Sequence, residues 1–174
     1  DNGGIITETT EWYDPITKQW RWGPNQEFPT YPALFRTTNP NVLFYSGSNA
    51  GYGPANKGRS PGFWNVAQDV FTPVSGLRDQ DRLETSGSVM VPPKKATNDG
   101  SQSWRVMVAG GGGIGESKAV TDRVDIIDMA AAHPVFTPGP RLPAALRYIN
   151  MVVTPWDEVF MSGGTADYRS KGFS

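Results

Sequence analysis

The chain contains 174 residues, of which 16 are basic and 17 acidic, so its formal net charge is −1. It has no basic stripe that could neutralise phosphates, and no apolar run approaches the ~20 residues that span a bilayer, so we expect neither nucleic acid nor a membrane span. Its 6 Trp, 6 Tyr and 8 Phe are too many for a disordered segment, and its 20 Gly and 15 Pro predict a folded chain rich in turns.

Short β-type runs separated by Gly/Pro turns recur along the whole chain, and this is the pattern of an all-β protein. We predict strands at residues 10–13, 19–22, 31–36, 42–46, 63–66, 70–72, 84–91, 105–109, 123–129, 148–154 and 158–162. The polar, proline-rich segment 133–143 (HPVFTPGPRLP) is predicted to be a turn.

The strands form a repeating unit. In each unit an aromatic residue follows a turn at an equivalent place, at Trp20, Phe71 and Phe136. In each unit a glycine follows the last strand, at Gly47, Gly110 and Gly163. The repeat of about 50 to 65 residues is close to the ~50 residues of a four-stranded kelch blade. We therefore predict a kelch-type β-propeller with about three four-stranded blades in modules at about 9–62, 63–122 and 123–174.

Three blades cannot close a propeller, because closed rings have ~4–8 blades. We therefore expect one propeller domain that is incomplete at both ends. The remainder would come from the same polypeptide or from a companion chain, since an open arc would expose the apolar faces of its end sheets.

Three glycines formally match the dinucleotide-binding pattern G-x-G-x-x-G, at Gly110, Gly112 and Gly115. Only the segment 116–122 separates them from the next predicted strand, which is too short for the helix that receives the pyrophosphate. We therefore interpret the glycines as a tight turn and reject a nucleotide-dependent oxidoreductase.

The chain offers few groups for metal binding or acid–base chemistry. It contains no cysteine and a single histidine, His133, so it cannot assemble a zinc site of the usual kind or a Cys–His pair. Asp125 and Asp128 lie at odd spacing in one strand and should point to opposite faces. Asp79 and Asp81 are interpreted as solvated loop charges.

Several aromatic and basic residues lie in or beside loops and strand starts, where a propeller collects functional groups at one end of its channel. They include Tyr31, Trp64, Arg147 and Tyr148. The alternative is that such aromatic residues pack within the blades and that the polar end of each side chain forms a hydrogen bond there. The sequence alone leaves both interpretations open.

An ordered series of motifs covers nearly the whole chain: FPTYPALF, FYSGSNAGYGP, GRSPGFW, LETSGSVMVPP, VAGGGGIGESK, LRY and SGGTADYR. It resembles the central propeller of galactose oxidase and glyoxal oxidase-like copper radical oxidases, and is most similar to the bacterial glyoxal oxidase-like branch. The resemblance implies a seven-bladed, extracellular or cell-surface propeller with one copper held by two tyrosines and two histidines. One tyrosine is cross-linked to a cysteine. Such enzymes oxidise a primary alcohol or aldehyde, including carbohydrates, and reduce dioxygen to hydrogen peroxide.

The chain departs from this family pattern, because it lacks cysteine and its one histidine is not in a Tyr-His pair. The resemblance therefore implies that the copper ligands and the radical site lie outside this chain, which is not catalytically complete by itself. The candidates for residues that line the substrate rim, or that contact the copper ligands without binding copper themselves, are Tyr31, Trp64, Glu116, Arg147 and Tyr148. A second hypothesis is a non-catalytic extracellular kelch propeller that serves as a binding or structural module.

Overall fold

The computed structural model describes residues 8–48, 60–91, 104–114 and 117–168. These residues form β-strands, one short 3-10 helix at Gln80–Arg82, and no α-helix. The strands are β1 (Glu11–Asp14), β2 (Gln19–Trp22), β3 (Leu34–Arg36), β4 (Val42–Tyr45), β5 (Gly62–Asn65), β6 (Val70–Pro73), β7 (Gly87–Val91), β8 (Arg105–Ala109), β9 (Val124–Asp128), β10 (Thr137–Pro138), β11 (Arg147–Val153) and β12 (Val159–Thr165). The all-β prediction is confirmed. The described ranges also contain no helix long and apolar enough to cross a membrane.

The strands form four antiparallel sheets. Two sheets have four strands each, in the orders β3-β4-β5-β6 and β7-β8-β9-β10, and two sheets are single hairpins, β1-β2 and β11-β12. Neighbouring strands are also consecutive in sequence, so these antiparallel sheets need no crossover connection. The number of blades in a complete ring stays a prediction.

The sheets and the sequence repeat are offset from each other by two strands. Each predicted module supplies two strands to one sheet and two to the next, so β3 and β4 pair with β5 and β6 across the boundary between the first two modules. The described residues thus form two whole sheets flanked by two half-sheets, the β1-β2 and β11-β12 hairpins.

Three apolar clusters form the core. One joins Phe44 of β4 to Val106 and Val108 of β8, so it lies between the two four-stranded sheets. A second joins Ala109 of β8 to Ile149 of β11 and connects the second whole sheet to the β11-β12 hairpin. In the third, Phe28, Tyr45 and Trp64 cluster with other residues of the first whole sheet.

One type of turn recurs in three hairpins. In each, the side-chain oxygen of an Asp or Asn residue accepts the N–H groups of the turn in place of a backbone carbonyl. The Asp14 carboxylate accepts the N–H groups of the next turn at 2.8 and 3.3 Å, and the Asn65 side chain does the same at 3.1 Å twice. Asp128 accepts an equivalent N–H at 3.0 Å. Lys18 and Asp69, which directly precede β2 and β6, both have positive φ, 56° and 54°. The β1-β2, β5-β6 and β9-β10 hairpins therefore begin in the same way.

The largest differences from the predicted strands occur in four places. Strand β3 begins at Leu34 and not at residue 31. The two-residue strand β10 lies within the segment predicted as a turn, at the edge of its sheet, where proline is tolerated. Strand β7 begins at Gly87 and not at residue 84. Strand β12 continues to Thr165 through Gly163 and Gly164, whose φ values are 73° and 98°.

Candidate functional site

A buried group of polar atoms surrounds Arg147, the first residue of β11. The Arg147 guanidinium is fully buried. It donates to the hydroxyl of Thr85 at 3.2 Å and to the backbone carbonyls of Ser117 and Gly113 at 2.9 and 3.0 Å. The carboxylate of Glu84, 2% exposed, lies 3.6 Å from the guanidinium. Arg147 thus connects the β11-β12 hairpin to two turns at the same end of the preceding sheet, one before β7 and one after β8.

The backbone around this arginine is shaped to receive it. Glu84 and Gly112 exchange two backbone hydrogen bonds of 3.1 and 2.9 Å, which bring the two turns together. A Cβ atom on Gly112 would lie 2.7 Å from Cζ of Arg147. Glycine at this position leaves the space that the guanidinium occupies, and a side chain there would have to displace it.

Two tyrosine rings lie against the buried cation. The Arg147 Cζ atom lies 5.3 Å from the ring centroid of Tyr148 and 5.2 Å from that of Tyr168, and the two rings are 6.3 Å apart. Tyr148 has a φ of 59°, unusual for a residue with a bulky side chain, and its N–H donates to the Thr85 carbonyl at 2.8 Å. Both tyrosines are half-buried. The strained backbone at Tyr148 and the cation–π contacts together fix the two rings.

The five predicted rim residues have different positions. Arg147 and Tyr148 are adjacent and in contact, but Arg147 is buried and positions its neighbours without an exposed face of its own. Tyr31 is 58% exposed and lies before β3. Trp64 is 2% exposed, packs edge-on to Phe28 and donates from Nε1 to Asp69 at 3.3 Å. Trp64 therefore lies in the core and not at an open rim, and Glu116 is outside the described residues.

Glu84, Thr85 and Tyr168 were not among the predicted site residues, although all three lie in the motifs LETSGSVMVPP and SGGTADYR. Glu84 and Tyr168 are far from Arg147 in sequence, and only the stacking of the sheets brings them together. A glutamate at the first position of the predicted strand 84–91 was the available signal.

A second buried ionic group surrounds Asp125 of β9. Asp125 is fully buried and pairs with Arg78 at 2.7 Å and with Arg123 at 3.3 Å. Burial lowers the pKa of the Arg123 guanidinium, and the nearby charge of Asp125 opposes that shift. Arg123 also donates to the carbonyls of Arg78 and Gly110. These contacts hold turns together and leave no free carboxylate for catalysis.

Other predictions about charged and glycine residues agree with the structure. Asp128 points away from the Asp125 cluster and accepts the N–H of Trp104 at 3.1 Å, so the two carboxylates do not form a dyad. Asp79 and Asp81 are exposed. Gly110, with a φ of 61°, begins a turn and not a helix.

The donor set of this chain does not fit a copper centre. No group of three or more His, Cys, Asp or Glu residues that could hold a metal ion occurs within the described ranges. The chain has no cysteine, and its one histidine, His133, is an exposed turn residue. The carboxylates of Glu84 and Asp125 are already paired with arginines.

Comparison with known proteins gives a structural relative but no sequence relative. No family model matches the chain, and no curated protein matches it. A solved structure described as a novel fungal alcohol oxidase with catalytic diversity among the AA5 family, in complex with copper, is similar with a TM-score of 0.66 and 17% sequence identity. The match covers 94% of this chain and 33% of the oxidase chain. The chain therefore spans about a third of that oxidase, and at this identity the likeness shows a shared fold.

Proposed function

We propose that this chain is a section of an extracellular copper radical oxidase related to galactose oxidase and the glyoxal oxidase-like enzymes. The complete protein would be a seven-bladed kelch-type propeller that oxidises a primary alcohol or aldehyde. In the alcohol reaction the substrate gives up two electrons and two protons, one proton from the carbinol carbon and one from its hydroxyl, and dioxygen takes up the electrons and protons to become hydrogen peroxide. The substrate class is a small alcohol, aldehyde or carbohydrate.

The fold carries this proposal. Its likeness to a copper-containing alcohol oxidase extends over 94% of the chain, and the ordered motifs point independently to the same class. The motifs alone support the narrower assignment to the bacterial glyoxal oxidase-like branch.

Copper would be held by residues outside this chain, because the donors described above do not form a centre. The remainder of the propeller, from the same polypeptide or a companion chain, would supply the two histidines, the tyrosine ligands and the Tyr–Cys radical. The bound copper and radical would supply the two oxidising equivalents.

This chain would contribute part of the rim around the substrate. Arg147 fixes the rings of Tyr148 and Tyr168, which are half-buried and present aromatic faces with polar tips. Such rings bind the C–H faces of a carbohydrate or alcohol, and phenol hydroxyls donate hydrogen bonds to its oxygens. The exposed Tyr31 would add a further aromatic contact.

The test begins with the protein from its natural source, collected from the culture medium and the cell surface. Intact mass and peptide mapping should reveal a longer or companion chain that contains a Tyr–Cys cross-link and a Tyr-His pair. The same preparation, loaded with copper, should produce peroxide from primary alcohols or aldehydes, and a chelated sample should not. A mass near 19.0 kDa with no companion chain and no peroxide would overturn the oxidase and favour a non-catalytic propeller module.

A further inference from the structure

Three successive sheets carry an equivalent residue near the start of their first strands, β3, β7 and β11. In each sheet one residue of this strand end lies opposite the residue that precedes a positive-φ glycine: Ala33, Gly87 and Asn150. The residues two positions earlier are Tyr31, Thr85 and Tyr148. The two tyrosines were rim candidates from the sequence, and the register places Thr85 at the same position in the sheet between them.

Thr85 and Tyr148 share a backbone conformation that is rare for their side chains. Their φ values are 57° and 59°, and β-branched or bulky residues seldom adopt this region. The Tyr148 N–H donates to the Thr85 carbonyl at 2.8 Å, so the two strained residues are directly hydrogen-bonded. Such strain persists only where the surroundings enforce it, and it clusters at sites that hold a ligand.

The Thr85 side chain holds the cation that lies against the two tyrosine rings. Its hydroxyl donates to the Glu84 carbonyl at 2.6 Å and accepts from Nε of Arg147 at 3.2 Å. Glu84 and Arg147 are both buried, and their charged groups lie 3.6 Å apart. The Arg147 Cζ atom lies 5.3 and 5.2 Å from the ring centroids of Tyr148 and Tyr168. The hydroxyl of Thr85 therefore orients the guanidinium on which both rings rest.

We propose that Thr85 is a positioning residue for a carbohydrate substrate: its left-handed backbone and its hydroxyl set where the rings of Tyr148 and Tyr168 contact a pyranose ring. This inference rests on the proposed function, in which the two rings form part of the substrate rim. The rings are 6.3 Å apart, tilted by 55° and half-buried. A pyranose offers C–H faces to such rings, and glycerol has no comparable face. Thr85 therefore affects a sugar more than a small alcohol.

The experiment uses the complete, copper-loaded protein that contains this chain, and it measures peroxide production from D-galactose and from glycerol. Thr85→Val removes the hydroxyl and keeps the branched shape. It should raise KM for D-galactose about tenfold and leave kcat within about twofold, because ring contacts of this kind bind ground state and transition state alike. KM for glycerol should rise at most about threefold. Thr85→Ser keeps the hydroxyl and should return KM for D-galactose to within about threefold of wild type.

Two glycine variants separate the position of the rings from stability. Thr85→Gly also loses the hydroxyl, but glycine adopts a φ of 57° without strain. Its urea midpoint should therefore lie above that of Thr85→Val, although its KM for D-galactose rises as much. Lys18→Gly is the matched control, because Lys18 has a φ of 56° and is exposed in the β1-β2 turn. It should leave KM for both substrates unchanged.

Four results would overturn the inference: an unchanged KM in Thr85→Val, equal rises for D-galactose and glycerol, KM values that follow the urea midpoints, or a wild type that oxidises glycerol but neither oxidises nor binds D-galactose. If the wild type makes no peroxide from either substrate, the oxidase proposal fails, and the variants are compared by the calorimetric Kd for D-galactose. A Kd about tenfold weaker in Thr85→Val would then support this inference alone. A wild type that neither makes peroxide nor binds D-galactose would overturn both.

Discussion

Replacement of Arg147 by methionine tests whether the buried guanidinium holds the last hairpin to the second whole sheet. The change removes three hydrogen bonds of 2.9–3.2 Å and the cation beside Glu84, whose carboxylate stays buried at 2% exposure. Breaking a buried ion pair costs about 3–5 kcal/mol, because a charge is left in a poorly solvated site. With an m-value of ~2 kcal/mol/M, the urea midpoint followed by tryptophan fluorescence should fall by about 1–3 M.

The chain provides a matched control and a double variant. Arg141 pairs with Asp122 at 2.6 Å, but its side chain is 70% exposed. Arg141→Met should therefore cost at most about 1 kcal/mol. Adding Glu84→Gln to Arg147→Met should restore part of the lost stability, since the buried charge is removed too. Equal losses in Arg147→Met and Arg141→Met, or a loss below about 1 kcal/mol in the former, would refute the reasoning.

Three further predictions concern packing and pH. Gly112→Ala should lower the free energy of unfolding by about 1–3 kcal/mol, because the new Cβ would lie 2.7 Å from the Arg147 guanidinium, and the loss should shrink in the Arg147→Met background. Trp64→Ala should lower the free energy of unfolding by about 3–5 kcal/mol, and Tyr31→Ala should lower it by at most about 0.5 kcal/mol. Similar urea midpoints for the two variants would contradict the placement of Trp64 in the core and of Tyr31 at the surface. Two backbone N–H groups of the following turn hold the pKa of Asp14 below its ordinary value. Because this folded-state pKa is the lower one, the stability it contributes is present above the unfolded-state pKa and is lost as pH falls through the folded-state pKa. The stability difference between wild type and Asp14→Asn should shrink over that range, and a constant difference in urea titrations would count against the turn.

The strand pattern was largely predictable from the sequence, because alternation and turn residues act over short distances. Strands β2 and β8 begin and end where the pattern placed them. Strand β10 was missed because its two residues lie among prolines and gain their pairing only from β9. The offset between repeat and sheet was also inaccessible, because a repeat fixes a period and not the strand at which a sheet begins.

The candidate site was only partly predictable. Arg147 and Tyr148 were singled out because they lie at the start of a predicted strand, but burial of the arginine depends on Glu84 and on the Gly113 carbonyl, which are distant in sequence. The tryptophan in GRSPGFW was assigned to the rim with no way to see that Phe28 covers it. Sequence patterns give the faces of strands, and the stacking of sheets decides which faces meet.

Four of the motifs that carry the family resemblance meet at one place in the structure. LETSGS supplies Glu84 and Thr85, the glycine run supplies Gly113, LRY supplies Arg147, and SGGTADYR supplies a tyrosine ring. They form the junction of two sheets, and every one of these residues contacts the buried guanidinium. Packing of one sheet on the next is therefore sufficient reason for these motifs to occur together and in this order. The resemblance consequently supports the shared fold more strongly than the oxidase chemistry. The two half-buried tyrosines bear on both, because they pack in this junction and are the residues proposed to contact substrate.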